Sequence, residues 1–260
     1  MKNKLWLIVL IVSLAAVVVS GINVFRLSRE YQKGINEYQQ LESYASVKEE
    51  APVQEESTEA EETEEESLIP VSVDIQYDEL KRINEDFAGW LYYEPLDISY
   101  PIVRGNDNDY YTHYTFEGEK NSSGAIFMDF LNKTDYSDYN TIIYGHNMRN
   151  GTMFGSLKKM LNDSSIQEEN PNFYVFTEDK AYMYEIFAVY LTQADSRTYD
   201  LIRNEEEQQG FLDYVDETAT WRSDKVVSAS DKVMTLSTCH GLHSNNRTII
   251  LGVLVASEDR

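Results

Sequence analysis

Cys239 is the only cysteine in the 260-residue chain, and it closes the run Lys232-Val233-Met234-Thr235-Leu236-Ser237-Thr238. In a strand alternate side chains share a face, so Cys239 lies with Ser237 and Thr235 while Met234 and Leu236 point the other way. A thiol becomes a nucleophile when a neighbouring cation favours the thiolate and a base manages the proton. Four histidines are available for that work, His113, His146, His240 and His243. His146 follows the apolar run Thr141-Ile142-Ile143-Tyr144 at Gly145, a strand end that can present an imidazole to a neighbouring strand end. His240 adjoins Cys239 and points to the opposite face, His243 lies three residues on in a loop within reach of the thiol, and His113 reads as surface. Arg247 opens the next apolar strand. If the loop HGLHSNN joins adjacent antiparallel strands, Arg247 returns beside Cys239, where a guanidinium supplies fixed donors to an oxyanion. The competing readings are a buried structural cysteine and an arginine that merely pairs with a carboxylate.

These residues need a scaffold that brings distant segments together. Short β-rich runs occur at ISYPIVR, GAIFMDF, NTIIYG, NFYVFT, AYMYEIFAVYL, KVVSA, KVMTLST and RTIILGVLVA, separated by Asn, Asp, Gly and Ser clusters. Eight such runs in one domain predict a mainly β fold, a closed barrel or a sandwich. Three helices are predicted to flank it. One covers residues 77–93 with Leu80, Ile83, Phe87 and Leu91 at helical spacing, and one covers GTMFGSLKKMLN. The third runs through EEEQQGFLDYVDETATW, with Phe211, Leu212 and Val215 docking on the barrel.

The chain begins with an uncharged run from Leu5 to Phe25. At about 1.5 Å per helical residue it spans roughly 30 Å, the hydrocarbon thickness of a bilayer. Residues 1–25 are therefore expected to be a cytoplasmic tail and transmembrane anchor rather than a cleaved signal, whose apolar core is shorter. Residues 26–47 are expected to form a helical stalk, and residues 48–70 an acidic disordered linker, since Lys48–Ser67 carries ten Glu against one Lys. The catalytic domain is placed at residues 71–260. The formal net charge of -23 argues against nucleic acid as a partner, because phosphate recognition needs a basic stripe. A lone cysteine excludes a disulfide framework and a multi-cysteine zinc site. His240 and His243 lack a third ligand, so no metal and no cofactor is expected.

Thr235-Leu236-Ser237-Thr238-Cys239, the downstream Arg247, and Tyr144-Gly145-His146-Asn147-Met148 together resemble the sortases of Gram-positive bacteria, most closely class B. Gly89-Trp90-Leu91, Tyr100-Pro101-Ile102-Val103, Asp107-Asn108 before Tyr110-Tyr111, and Ser123 to Asp129 fit the same family. The resemblance implies an eight-stranded sortase barrel, preceded by a membrane anchor, and cysteine transpeptidase activity. It further implies Cys239 as nucleophile, His146 as general acid/base and Arg247 as oxyanion stabiliser, with Ser237 and Asn108 lining the substrate groove. Partners implied are surface proteins bearing a C-terminal sorting motif, NPxTx-like or PxTG-like, and an amine of the peptidoglycan precursor. The implied location is the cell membrane, single-pass, with the catalytic domain extracellular. Between Cys239 and Arg247 this chain carries His240-Gly241-Leu242-His243 and no acidic residue, unlike several relatives, which leaves the sorting motif open and keeps His243 as an alternative base. Alternatives of other kinds are a tethered protease with the same dyad, a non-enzymatic ectodomain with a structural cysteine, and a pilin-polymerising sortase of another class.

Overall fold

The structure, a computed structural model, describes residues 2–49, 67–240 and 245–260. A single helix α1 (Lys2–Glu42) carries the apolar N-terminal run. Side chains 9–25 all face outward, an apolar surface with no protein against it and the one helix among the described residues long and apolar enough to cross a membrane. The membrane-distal part behaves differently: Gly34, Glu37, Tyr38 and Leu41 are buried against the folded domain. The helix stops at Glu42, and residues of the expected stalk and linker instead form β1 (Ala45–Glu49), antiparallel to β2 (Val71–Ile75). The expected disorder between them falls on residues 50–66, outside the described residues.

The helix predicted over 77–93 divides. Only α2 (Tyr77–Ile83) is helical, and the chain turns extended at Asn84, whose side chain donates to the Phe116 carbonyl and to the Tyr111 hydroxyl. Phe87–Tyr93 is strand β3. Leu80, Phe87 and Leu91 mimic helical spacing because β3 is covered on both sides, with Trp90, Leu91 and Tyr93 all buried, so its apolar residues need not alternate. After β3 come β4 (Ile98–Val103), α3 (Tyr110–His113), β5 (Ile126–Met128) and β6 (Asn140–Tyr144). The predicted helix at GTMFGSLKKMLN reduces to turns and a 3-10 segment, Leu157–Leu161. Gly155 sits so tightly that a Cβ would lie 2.4 Å from the Met148 carbonyl oxygen. Next are α4 (Ser165–Glu169), β7 (Asn172–Phe176), β8 (Lys180–Gln193), α5 (Glu205–Thr218), β9 (Trp221–Arg222), β10 (Val233–Cys239) and β11 (Asn246–Asp259). The run KVVSA is not a strand: Val226 is 89% exposed and Ser228 closes a turn onto Asp231.

The sheet order β11-β10-β6-β5-β4-β3-β7-β8 closes through β8 pairing with β11, giving an eight-stranded barrel with β9 as a spur on β8. Inside it Leu91, Ile102, Phe173, Val175, Leu236 and Ile250 share one face of the closed sheet and form the core. A second apolar layer lies on the outer faces of β8, β10 and β11, where Phe187, Tyr190, Ile249 and Leu251 meet Phe211, Leu212 and Val215 of α5, as their spacing predicts. The face of β10 bearing Thr235 and Ser237 is polar, yet covered: the two are 0% and 2% exposed.

The barrel is rich in tyrosines whose phenols are pushed above their ordinary range by burial, among them Tyr136, Tyr184 and Tyr190, with Tyr139 raised to about 12. Unfolded phenols ionise near about 10. The folded state therefore holds protons that the unfolded chain releases, so this contribution to stability is complete below about pH 10 and is lost as pH rises from there. Alkaline titration is expected to show the denaturant midpoint falling above about pH 10, with much of the tyrosinate absorbance appearing together with unfolding. Full tyrosine ionisation near that pH with the fold intact would contradict this.

Candidate active site

Three strand ends build the site. β10 runs parallel to β6 with Ser237 opposite Tyr144, and antiparallel to β11 with Cys239 opposite Arg247. The expected hairpin geometry thus holds at the level of register, although the loop residues 241–244, and His243 with them, lie outside the described residues. Beyond β6, the Gly145 N–H donates to the Ser237 carbonyl at 3.2 Å, carrying the pairing one residue further and delivering His146 alongside the end of β10. Gly145 is required by packing, since a Cβ would fall 2.5 Å from Ile126 Cδ1 and 2.7 Å from Phe154 Cγ.

The imidazole of His146 is gripped from one side. Its Nε2 lies 2.7 Å from the Thr112 carbonyl oxygen, and because a carbonyl only accepts, Nε2 carries the proton in this arrangement. Its ring rests on Gly124, a left-handed residue with φ 55°. The His146 carbonyl accepts from Phe154 N–H at 3.0 Å. Nδ1 is left as the nitrogen able to accept a proton.

His146, Cys239 and Arg247 line one cleft of about 410 Å³, together with Asn108, Thr112, Tyr144, Tyr199 and Ser237. Cys239 is a free, partly exposed cysteine. The two softer expectations fall there as well. Asn108 donates to Asp129 Oδ2 at 2.8 Å and accepts from Phe130 N–H at 3.0 Å, and Ser237 Oγ shares a 2.7 Å hydrogen bond with the Tyr199 hydroxyl. The other histidines are elsewhere. His113 is a surface residue 3.7 Å from Asp109, and His240 Nδ1 bonds Thr248 Oγ1 at 3.1 Å, on the strand face opposite Cys239.

Sequence reasoning did not single out Tyr144, Tyr199 or Asp129 as wall residues. Tyr144 donates to Asp129 Oδ2 at 2.9 Å and stacks on Tyr199 at 6.1 Å. Burial foremost, then Asp129, holds the Tyr144 phenol well above its usual range, and Tyr199 is likewise raised by burial against the opposing pull of Ser237 and Arg247. Both phenols are held in the neutral form in the cleft wall. Tyr144 was visible as the residue two before His146, on the far side of Gly145, whereas Tyr199 lies in a 3-10 turn after β8 that carries no local motif. Among the described residues no group of His, Cys, Asp and Glu is arranged to hold a metal ion.

A sortase-domain family model matches residues 91–255. This chain belongs to the sortase family. It is 39% identical over 182 residues to sortase B of Listeria monocytogenes, covering 68% of this chain and 73% of that relative. It is 32% identical over 179 residues to sortase B of Staphylococcus aureus, with 68% and 73% covered. The crystal structure of sortase B from B. anthracis superposes with a TM-score of 0.70 at 30% identity, covering 88% of this chain and 99% of that one. The protein is accordingly a class B sortase, a cysteine transpeptidase of the kind that attaches proteins to the cell wall. As a sortase it takes sorting-motif substrates and a peptidoglycan acceptor.

Proposed function

We propose that Cys239, His146 and Arg247 are the nucleophile, the general acid/base and the oxyanion stabiliser of this sortase. The observation that carries the reading is the convergence of β6, β10 and β11: the pairing of Cys239 with Arg247 and the exit of β6 at Gly145 aim three side chains of separate segments into one cleft. The Cys239 thiolate attacks the carbonyl of the Thr in a sorting motif, forming the S–C bond. The Arg247 guanidinium donates to the oxygen as it becomes negative. The C–N bond then breaks, the departing amine takes a proton from imidazolium His146, and a thioester remains. An amine of the cell-wall precursor attacks that thioester, His146 accepts its proton, a new amide forms and the thiolate leaves. Ser237 and Asn108 shape the groove for the motif. Tethering fits the same picture: residues 5–25 anchor the chain as a single span with the N-terminus inside and the catalytic domain outside.

The test is product partitioning. The full-length chain in detergent, given NPxTx-like and PxTG-like peptides, is expected to form an amide product that rises with added primary amine at the expense of hydrolysis, with the thioester common to both. Cleavage whose products ignore the amine would replace this reading with a tethered protease.

A further inference from the structure

The helix that carries the apolar anchor also reaches the loop on which the His146 ring rests. The inward stripe of α1 falls at Glu30, Gly34, Glu37, Tyr38 and Leu41, spaced as one helical face. It clamps the loop that leads into Gly124. The Glu30 carboxylate accepts from Ser122 N–H at 2.9 Å, the Glu30 carbonyl accepts from Asn121 Nδ2 at 2.9 Å, and Glu37 accepts from Glu117 N–H at 3.0 Å. Gly34 lies so close to this loop that a Cβ would be 2.8 Å from Ser123 Oγ. The last contact is the buried hydrogen bond from the Tyr38 hydroxyl to the Gly124 carbonyl, at 2.7 Å.

Gly124 is the floor of the imidazole: a Cβ there would be 3.0 Å from His146 Cδ2 and 2.5 Å from the Tyr111 carbonyl oxygen. Ala125 N–H donates to that same carbonyl at 2.9 Å, which joins Gly124 to the segment whose next carbonyl, that of Thr112, holds His146 Nε2. Tyr38 also meets Tyr100 edge to face at 5.5 Å, and the Tyr100 hydroxyl accepts from Met153 N–H at 3.1 Å. Met153 is bridged to Asn147, the residue after His146. One tyrosine of the anchor helix thus touches the support of the imidazole and, through Tyr100, the turn that follows it.

We infer that Tyr38 is a positioning residue for His146, so that the membrane-continuous helix is part of the catalytic apparatus as well as a tether. This rests on His146 being the acid/base of the proposed mechanism. A side chain that only orients the base acts on the chemical step and leaves motif binding alone, and small displacements of a base are costly in rate.

The experiment uses the full-length chain in nanodiscs with a sorting-motif peptide, comparing Tyr38→Phe, Gly34→Ala, Leu41→Val and His146→Ala. Tyr38→Phe keeps the ring against Tyr100 and removes only the hydroxyl. It is expected to lower kcat about tenfold with KM within about twofold. Gly34→Ala, which pushes the helix off the loop, is expected to lower kcat in the same way. Leu41→Val, a packing change on the same helix face without a bond to Gly124, is expected to leave kcat unaltered. Unchanged kcat in Tyr38→Phe, a change confined to KM, or an equal loss in Leu41→Val would overturn the inference while His146→Ala remains inactive. An active His146→Ala would instead overturn the assignment of His146, and this inference with it.

Discussion

Replacing Cys239 by alanine is expected to lower peptide cleavage and amine transfer by at least about 10⁴-fold, while the fold and the binding of the sorting peptide persist. The reasoning is geometric as much as chemical. Cys239 ends β10, and its backbone pairing with Arg247 does not depend on the side chain. The thiol is partly exposed, so its loss opens no sealed cavity of the kind that destabilises a core. What disappears is the atom proposed to form the acyl bond, and nothing else in the cleft replaces it: Ser237 is bonded to Tyr199 and only 2% exposed. Cys239→Ser is expected to be nearly as inactive, since a hydroxyl without a stronger base is a weak nucleophile. Peptide binding by fluorescence and denaturation midpoints separate this outcome from unfolding. A variant that retained cleavage would make Cys239 structural.

His146→Ala carries the next largest expected effect, about 10³-fold in kcat, within the usual range for a general acid/base. In the proposed mechanism the side chain serves both half-reactions, giving a proton to the departing amine and taking one from the incoming amine, so acylation and transfer should both slow. Its geometry makes the loss specific. Nε2 is tied to Thr112, leaving Nδ1 for proton traffic, and the ring lies on Gly124, where a Cβ would crowd both the imidazole and the Tyr111 carbonyl. Added imidazole is expected to restore part of the rate by filling the vacated volume. A loss below about tenfold would point to His243, the alternative base, and the His243→Ala variant would then carry the larger effect.

The residues that meet in the cleft were more legible than the architecture that delivers them. TLSTC and YGHNM stand out because cysteine and histidine are scarce in a chain with one cysteine and four histidines, and the downstream arginine stands out by its place at the start of the next strand. Strand periodicity located seven of the barrel strands, because turns rich in Asn, Asp, Gly and Ser bound them. The eighth was misread in both directions. Phe87–Tyr93 passed for helix because a strand buried on both faces loses its alternation, and KVVSA passed for strand because two adjacent valines say nothing about burial. Tyr199 and Tyr38 were illegible for a different reason. Their roles come from tertiary contacts with Ser237 and Gly124, far away in sequence, and a lone tyrosine in a polar segment gives no local sign of its partner. The same holds for the N-terminal helix, which reads from sequence as an anchor with a stalk and packs in the structure against the support of the imidazole.

The most direct measurement of the central claim is the intact mass of the enzyme, acid-quenched during turnover of a sorting-motif peptide without amine, followed by mapping of the modified fragment. The account predicts an adduct equal to the acyl half of the peptide ending at Thr, located on Cys239, released by hydroxylamine or by an added amine, and missing from Cys239→Ala. Turnover with no adduct on Cys239 under any quench, or an adduct on another side chain, would contradict it.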